Sequence, residues 1–423
     1  MIDNPEIKQK EKAILIGVIH GKLNLPTVEE HLEELELLAK TAGADVVGHV
    51  TQKLSRINPS FILGTGKAEQ IINQAKELGV SLIIFDDELS PAQIKNYSNL
   101  AKDMKVIDRS ALILDIFNQH AQTKEAKTQV ELARLEYMLP RLTRAWTHLE
   151  RQMGGIGTRA GAGETQIEVD RRLIRTRISK LKKELKKIDR ERETQSKQRG
   201  NQYKVALVGY TNAGKSTLMK AISGADVLIQ DQLFATLDTT IRSVDLDNAH
   251  SILLSDTVGF VRKLPHHLVA SFKSTLKEVV DADLILIVLD ASSKQVTDHY
   301  ETIVDVLKDL GAERHTNLIV LNKVDNDAVQ NQMVYLNRIF PEGIFVSALN
   351  QLRINHLSKE ITQIMDEKFQ VVDLQFSYTD SKAMAQAQEG VDVLERHYHD
   401  DYVHLKVKGS RQRISQIQST LGK

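Results

Sequence analysis

The chain has 423 residues, 41% of them hydrophobic and 26% charged, with no cysteine and 56 basic against 56 acidic side chains. That length exceeds one ordinary core and calls for two to four domains of roughly 100–200 residues each, and the composition excludes disorder as the dominant state. Without cysteine there is no disulfide scaffold, thiol nucleophile or Cys zinc site. No apolar run reaches the ~18 residues of a membrane-spanning helix, and MIDNPEIKQKEK lacks an apolar signal core, so a cytoplasmic location is expected.

Residues 12–109 alternate strand-sized apolar runs with amphipathic stretches. AILIGVI (13–19), ADVVGHV (44–50), SLIIFDD (81–87) and KVIDR (105–109) are expected strands. The stretches between them are expected helices, the last opened by Ser90 as N-cap with Pro91 in the first turn. Such alternation predicts a parallel sheet with crossover helices. Residues 110–199 contain no strand-like run. Leu132, Leu135, Met138, Leu139 and Leu142 recur at helical spacing, as do Leu173, Ile174, Ile178, Leu181, Leu185 and Ile188. Gly-rich QMGGIGTRAGAGETQ (152–166) lies between them, which predicts a helical hairpin with a long tip loop and Leu173, Leu181 and Leu185 turned inward. The polar DRERETQSKQRGN that ends the second helix reads as a linker. Residues 121–200 hold 20 basic and 11 acidic side chains, a surplus that suits a polyanion or a solvated helical surface equally.

From Tyr203 to Lys368 the alternation resumes. YKVALVG leads to KSTLMKAIS, HSILLSD to a helix near 266–281, and LILIVLD to VTDHYETIVDVLKDL. NLIVLN leads to a helix near 327–339 and GIFVSA to a helix over 352–367. Beyond it, VVDLQFSY and YVHLKVK are expected strands, with helices near 381–389 and 410–421.

Four ordered motifs carry chemistry. Gly209, Tyr210, Thr211, Asn212, Ala213, Gly214, Lys215 and Ser216 fit the phosphate-loop pattern G-x-x-x-x-G-K-[ST] between a strand and a helix. Its backbone N–H groups can cradle phosphate oxygens, Lys215 can meet the β- and γ-phosphates, and Ser216 can ligate Mg²⁺. Asp256, Thr257, Val258 and Gly259 follow the strand SILLS, with Asp256 placed to hold the Mg²⁺ water shell and the Gly259 N–H to meet a γ-phosphate. Asn322, Lys323, Val324 and Asp325 follow NLIVL; an ionised Asp325 accepts from guanine N1–H and the 2-amino group, which adenine cannot match. Ser347, Ala348 and Leu349 fit the loop whose N–H meets guanine O6. Together they predict a guanine-nucleotide domain. The position that often carries a water-orienting Gln is Phe260, so the catalytic residue is unassigned. Phe234, Ala235, Thr236, Leu237 and Asp238, followed by Thr239 and Thr240, form the expected first switch, which needs a Thr to complete the Mg²⁺ shell.

The expected architecture is multi-domain α/β. An N-terminal parallel α/β domain (1–109) precedes a helical hairpin with tip and linker (110–199), a P-loop GTPase domain with a mostly parallel sheet (200–368) and a small α+β C-terminal domain (369–423).

Beyond the nucleotide motifs, FILGTGKAEQI (61–71), IIFDDELSPAQ (83–93), VIDRSALILDIF (106–117), TQVELARLEYMLPRLTRAW (128–146), GGIGTRAGAGETQIEVDRRLIR (154–175) and FATLD (234–238) resemble the HflX family of ribosome-associated GTPases across nearly the whole chain. The resemblance implies a monomeric, Mg²⁺-dependent GTPase that binds GTP and GDP and associates with the large ribosomal subunit. It implies action in ribosome rescue, splitting or biogenesis and stimulation by the ribosome. It also implies metal ligation by Ser216 and Thr236, although the family's L-D-P-T-T-R is broken here, so which of Thr236, Thr239 and Thr240 closes on the γ-phosphate stays open. The tip reads R-A-G-A-G-E where the family has R-G-P-G-E. Candidate rRNA contacts are Gly155, Gly157, Arg159, Gly161 and Gly163 in the tip and Arg171, Arg172 and Arg175 on the helix after it. Some members bind ATP through the N-terminal domain, for which residues 61–67 with Lys67 are the candidate, against a capping and packing role. The alternative function is a nucleotide-gated RNA or ribosome-assembly binding module in which hydrolysis only resets the switch.

Overall fold

A computed structural model describes residues 11–142, 166–198, 202–224, 233–234, 237, 239–247, 250–263, 276–378, 381–388, 391–399 and 401–421. The chain divides into two compact units, one of Met1–Ile188 with Gln230–Asp238 and Val261–Ser274, the other of Asp189–Ile229, Thr239–Phe260 and Thr275–Lys423.

In the first unit, β1 (Lys12–Ile19), β2 (Asp45–Lys53), β3 (Leu82–Phe85) and β4 (Lys105–Asp108) form a parallel sheet in the order β2-β1-β3-β4. Every position of β1 after the first is buried and all of β3 is buried, as parallel strands covered on both faces require. Between the strands run α1 (Leu25–Thr41), α2 (Thr65–Glu77) and α3 (Pro91–Leu100). Local chemistry sets their starts. Asn24 accepts from the Thr27 N–H to cap α1, and at α3 Ser90 and Gln93 form a reciprocal capping box with Pro91 in the first turn. In the 61–67 segment the Phe61 ring packs edge-on to Tyr97 at 5.2 Å, and Lys67 donates to Gln70 of its own helix.

The helical part of this unit has two helices before the tip, α4 (Arg109–His120) and α5 (Lys124–Met138), capped by Asp108 and Thr123. After the tip comes α6 (Gln166–Gln198), whose residues from Asp189 onward group with the second unit. Leu132 and Leu135 of α5 meet Leu181 of α6, with Ile174, Ile178 and Leu185 packed around them. Leu173, expected inside, is 43% exposed. The contact stripe runs 174, 178, 181, 185, and a residue next to it in sequence lies about 100° round the helix. The polar end of this helix, expected as a linker, is helical through Gln198. Glu, Arg, Lys and Gln are all good helix formers, so polarity alone did not break it.

In the second unit, β5 (Tyr203–Gly209), β6 (Thr240–Asp245), β7 (Ser251–Asp256), β8 (Leu284–Asp290), β9 (Asn317–Asn322) and β10 (Ile344–Phe345) form a sheet in the order β10-β9-β8-β5-β7-β6. All pairings are parallel except that of edge strand β6 with β7. Strand β6 was not expected, since its Thr-rich start reads as loop. The helices are α7 (Lys215–Ser223), α8 (Lys277–Val280), α9 (Val296–Asp309), α10 (Met333–Ile339) and α11 (Ile354–Lys368); most of the helix expected near 266–281 lies outside the described residues. The chain ends in an antiparallel sheet of β11 (Phe369–Ser377), β13 (Tyr402–Ser410) and β12 (Asp392–Tyr398), with α12 (Ser381–Gln388) and α13 (Arg411–Leu421). Strand β12 escaped the sequence reading because a bulge between Val393 and Glu395 breaks its alternation and leaves Val393 and Leu394 exposed. Among the described residues no helix is long and apolar enough to cross a membrane.

Candidate active site

Strand β5 lies at the centre of the second unit's sheet and ends at Gly209, where the chain turns through residues 210–214 into α7. The turn uses left-handed backbone at Asn212 (φ +59°) and Gly214 (φ +89°). Gly214 is obligatory on two counts, since a Cβ there would also come within 2.3 Å of the Asn322 amide nitrogen. Lys215 is the first helical residue, and its buried ammonium donates to the Gly209 and Tyr210 carbonyls at 3.1 and 3.0 Å. Burial pushes its pKa down to about 8, against the opposing pull of Asp256.

Asp256 closes β7 beside the loop, and Ser216 Oγ donates to its Oδ2 at 2.6 Å. This hydroxyl and carboxylate offer oxygen donors alone, the set a hard cation such as Mg²⁺ takes. Thr257 turns inward instead, donating to the Leu207 carbonyl at 2.6 Å, so its side chain braces β5. Gly259 is pressed against the phosphate loop: a Cβ there would lie 2.8 Å from Thr211 Cα and 3.0 Å from Lys215 Nζ. Phe260 then bridges back to the loop, its N–H donating to Gly209 O at 3.0 Å and its carbonyl accepting from Thr211 N–H at 2.8 Å. Thr240 opens β6 directly opposite Asp256 in the antiparallel register. Ala235, Thr236 and Asp238 lie outside the described residues. Phe234 and Leu237 are buried and belong to the first unit, where the Phe234 ring meets Phe117 edge-on at 4.6 Å and its carbonyl lies 3.0 Å from His120 Nδ1.

On the opposite side of the loop, Asn322 ends β9 and is buried. Its amide donates to the Ala213 carbonyl and accepts from the Ala348 N–H, both at 2.9 Å, tying the phosphate loop to the 347–349 loop. Lys323 has φ +67°, and its ammonium pairs with Asp290 at the end of β8 at 2.8 Å. Asp290 was missed in the sequence; its signal is an acidic residue at the carboxyl end of an otherwise apolar strand. Val324 N–H reaches the Val346 carbonyl at 3.3 Å, Ser347 is fully buried and Leu349 exposed, while Asp325 stands exposed at the rim. The structure thus brings together 209–216, 256–259, 322–325 and 347–349 within one unit.

In the first unit, Arg171, Arg172 and Arg175 line a groove along α6 with Glu168, Thr176, Ser179, Lys180 and Lys183. Arg171 also donates to the Leu142 carbonyl at 3.1 Å. Gly155, Gly157, Arg159, Gly161 and Gly163 lie outside the described residues.

Three family models match the chain: a GTP-binding GTPase N-terminal region over residues 29–118, a GTP-binding GTPase middle region over 120–199, and a 50S ribosome-binding GTPase over 204–323. GTPase HflX of Flavobacterium psychrophilum is 52% identical over 315 residues, covering 74% of this chain and 76% of that protein. GTPase HflX of Caldanaerobacter subterraneus subsp. tengcongensis is 42% identical over 407 residues, covering 95% and 91%. A crystal structure of a GTP-binding protein from Sulfolobus solfataricus in complex with GDP is 25% identical, with a TM-score of 0.43, covering 84% of this chain and 99% of that one. With those motifs assembled in one unit and relatives this similar along nearly its whole length, the chain belongs to the HflX family of GTPases.

Proposed function

We propose that this GTPase associates with the large ribosomal subunit through the basic hairpin of its first unit, under control of bound nucleotide, and acts in ribosome rescue, splitting or biogenesis. In this reading Lys215 neutralises the β- and γ-phosphates, the loop N–H groups hold their oxygens, and Asp325 with the 347–349 loop reads guanine. Ser216, with Asp256 behind it, would hold Mg²⁺, which when bound neutralises charge on the phosphates. Thr236 remains our candidate for the ligand supplied on switch closure.

The observation that carries the ribosome reading is the arginine face of α6. It aligns Arg171, Arg172, Arg175, Lys180 and Lys183 beside one another, while the apolar stripe of the same helix is spent on α5. A face so arranged suits phosphate-rich RNA, where cationic contacts dominate affinity and make it salt-dependent. Co-sedimentation with large subunits tests it. Replacing Arg171, Arg172 and Arg175 by Glu should abolish pelleting at moderate salt and flatten the salt dependence while leaving GDP affinity unchanged. Equal pelleting by the triple variant would place the RNA contact elsewhere.

A further inference from the structure

The site has no glutamine after D-x-x-G, and Phe260 cannot stand in for it, because its side chain is 1% exposed and its backbone is bridged in both directions to the phosphate loop. That bridge has a second effect. It presses Gly259 onto Thr211, so that a Cβ on Gly259 would lie 2.8 Å from Thr211 Cγ2. Thr211 is 8% exposed, and its hydroxyl is buried with no hydrogen-bond partner among the described residues. Buried hydroxyls are almost always satisfied by protein or ordered water, so an unpartnered one at a functional site points to a missing ligand. Here the neighbours identify it. The Thr211 Cα and methyl stand against Gly259, and a Cβ on that glycine would also lie 3.0 Å from the Lys215 ammonium; the proposed partner of both Gly259 and Lys215 is the γ-phosphate.

We propose that the Thr211 hydroxyl positions the water that attacks the γ-phosphate. The proposal rests on the phosphate-loop roles given above. In the step, the water oxygen forms a bond to the γ-phosphorus as the bond to the β–γ bridging oxygen breaks, leaving its electron pair on GDP. The water's proton passes to a γ-phosphate oxygen. Thr211 accepts a hydrogen bond from the water and donates its own to a γ-phosphate oxygen, so it orients the nucleophile and ends the cycle unchanged. Glycine at this place could not do so, and valine would keep the shape without the hydroxyl.

The test is single-turnover GTP hydrolysis by the full chain with Thr211→Val, Thr211→Ala and Thr211→Ser, alongside the affinities for GDP and a non-hydrolysable GTP analogue. Val and Ala should slow hydrolysis by about 10²-fold, in the range for removing one oriented hydrogen-bonding group at a transition state. Both should keep GDP affinity within about twofold and lose no more than about tenfold in analogue affinity, the cost of one hydrogen bond to the γ-phosphate, and Ser should restore most of the rate, since only the hydroxyl is at issue. Wild-type hydrolysis by the Val variant, or a loss in Ser equal to that in Val, would overturn the proposal. Loss of analogue binding in all three variants would also overturn it, by making Thr211 a packing residue of the loop. The phosphate-loop reading has its own readout: if wild-type protein bound neither nucleotide, that reading would fail before Thr211 was tested.

Discussion

With its amide spent on the Ala213 carbonyl and the Ala348 N–H, buried Asn322 works as a cross-tie between two loops, and in the proposed reading discrimination of the base falls to exposed Asp325. Asp325→Asn replaces an acceptor with an amide that also donates, which suits the 2-oxo edge of xanthine better than the 2-amino edge of guanine. GTP affinity should fall by at least ~10²-fold, the cost of leaving charge-assisted hydrogen bonds unmade, and XTP should become the better ligand. Unchanged GTP binding in a competition assay would remove Asp325 from the base site. The motif residues themselves were legible in the sequence, because backbone and carboxylate demands of phosphate and guanine fix residue types at short spacings. What the motif conceals is division of labour: Asn322 ties loops, Lys323 holds Asp290, and the Thr257 hydroxyl braces a strand. Each is a side-chain contact across a sequence gap that no local pattern encodes.

At the scale of elements, the first unit is held by a buried charge cluster at the carboxyl end of its sheet. Asp86, 2% exposed just after β3, pairs with Arg109 at the start of α4 at 2.8 Å and with Lys263 at 2.5 Å, while Glu34 of α1 also pairs with Arg109. Burial alone would raise the Asp86 pKa, but the nearby His31 imidazole, Arg109 and Lys263 hold it well below the usual carboxylate range. The sign follows. A carboxylate whose folded pKa lies below its unfolded value contributes stability that is present above about pH 4 and is lost as pH falls. Asp86→Asn removes one partner of a buried cluster and should destabilise this unit by about 3–5 kcal/mol, with much of the acid sensitivity of the remaining transition gone. Urea unfolding of wild type and variant at pH 7 and about pH 2.5 checks both; equal midpoints at pH 7 would show the cluster to be energetically neutral. Here too the strands and helices were legible from apolar runs and caps, whereas strand β6 was not. Its sequence TIRSVD is half polar and follows a Thr-rich stretch that has the look of a loop, and pairing with β7 makes it a strand.

At the scale of the molecule, the segments Gln230–Asp238 and Val261–Ser274, which flank nucleotide motifs in the chain, group with the first unit and not with the unit that holds the phosphate loop. Phe234 is anchored there through Phe117 and His120, and Lys263 through Asp86 and Asp87. A sequence divided by strand–helix alternation assigns both segments to the nucleotide domain, because the chain is continuous there; the grouping depends on contacts more than a hundred residues apart. Both segments therefore group with the unit that carries the proposed RNA-binding face. In the proposed reading, large subunits bound to that face stimulate a hydrolysis that Phe260 leaves without a water-orienting Gln. The direct measurement is single-turnover GTP hydrolysis by the purified chain, with and without large ribosomal subunits at saturating concentration. The account predicts slow hydrolysis alone and a stimulation of about 10³-fold or more, the scale of an added charge-stabilising or water-orienting group. Equal rates with and without subunits, under conditions where the protein pellets with them, would contradict it.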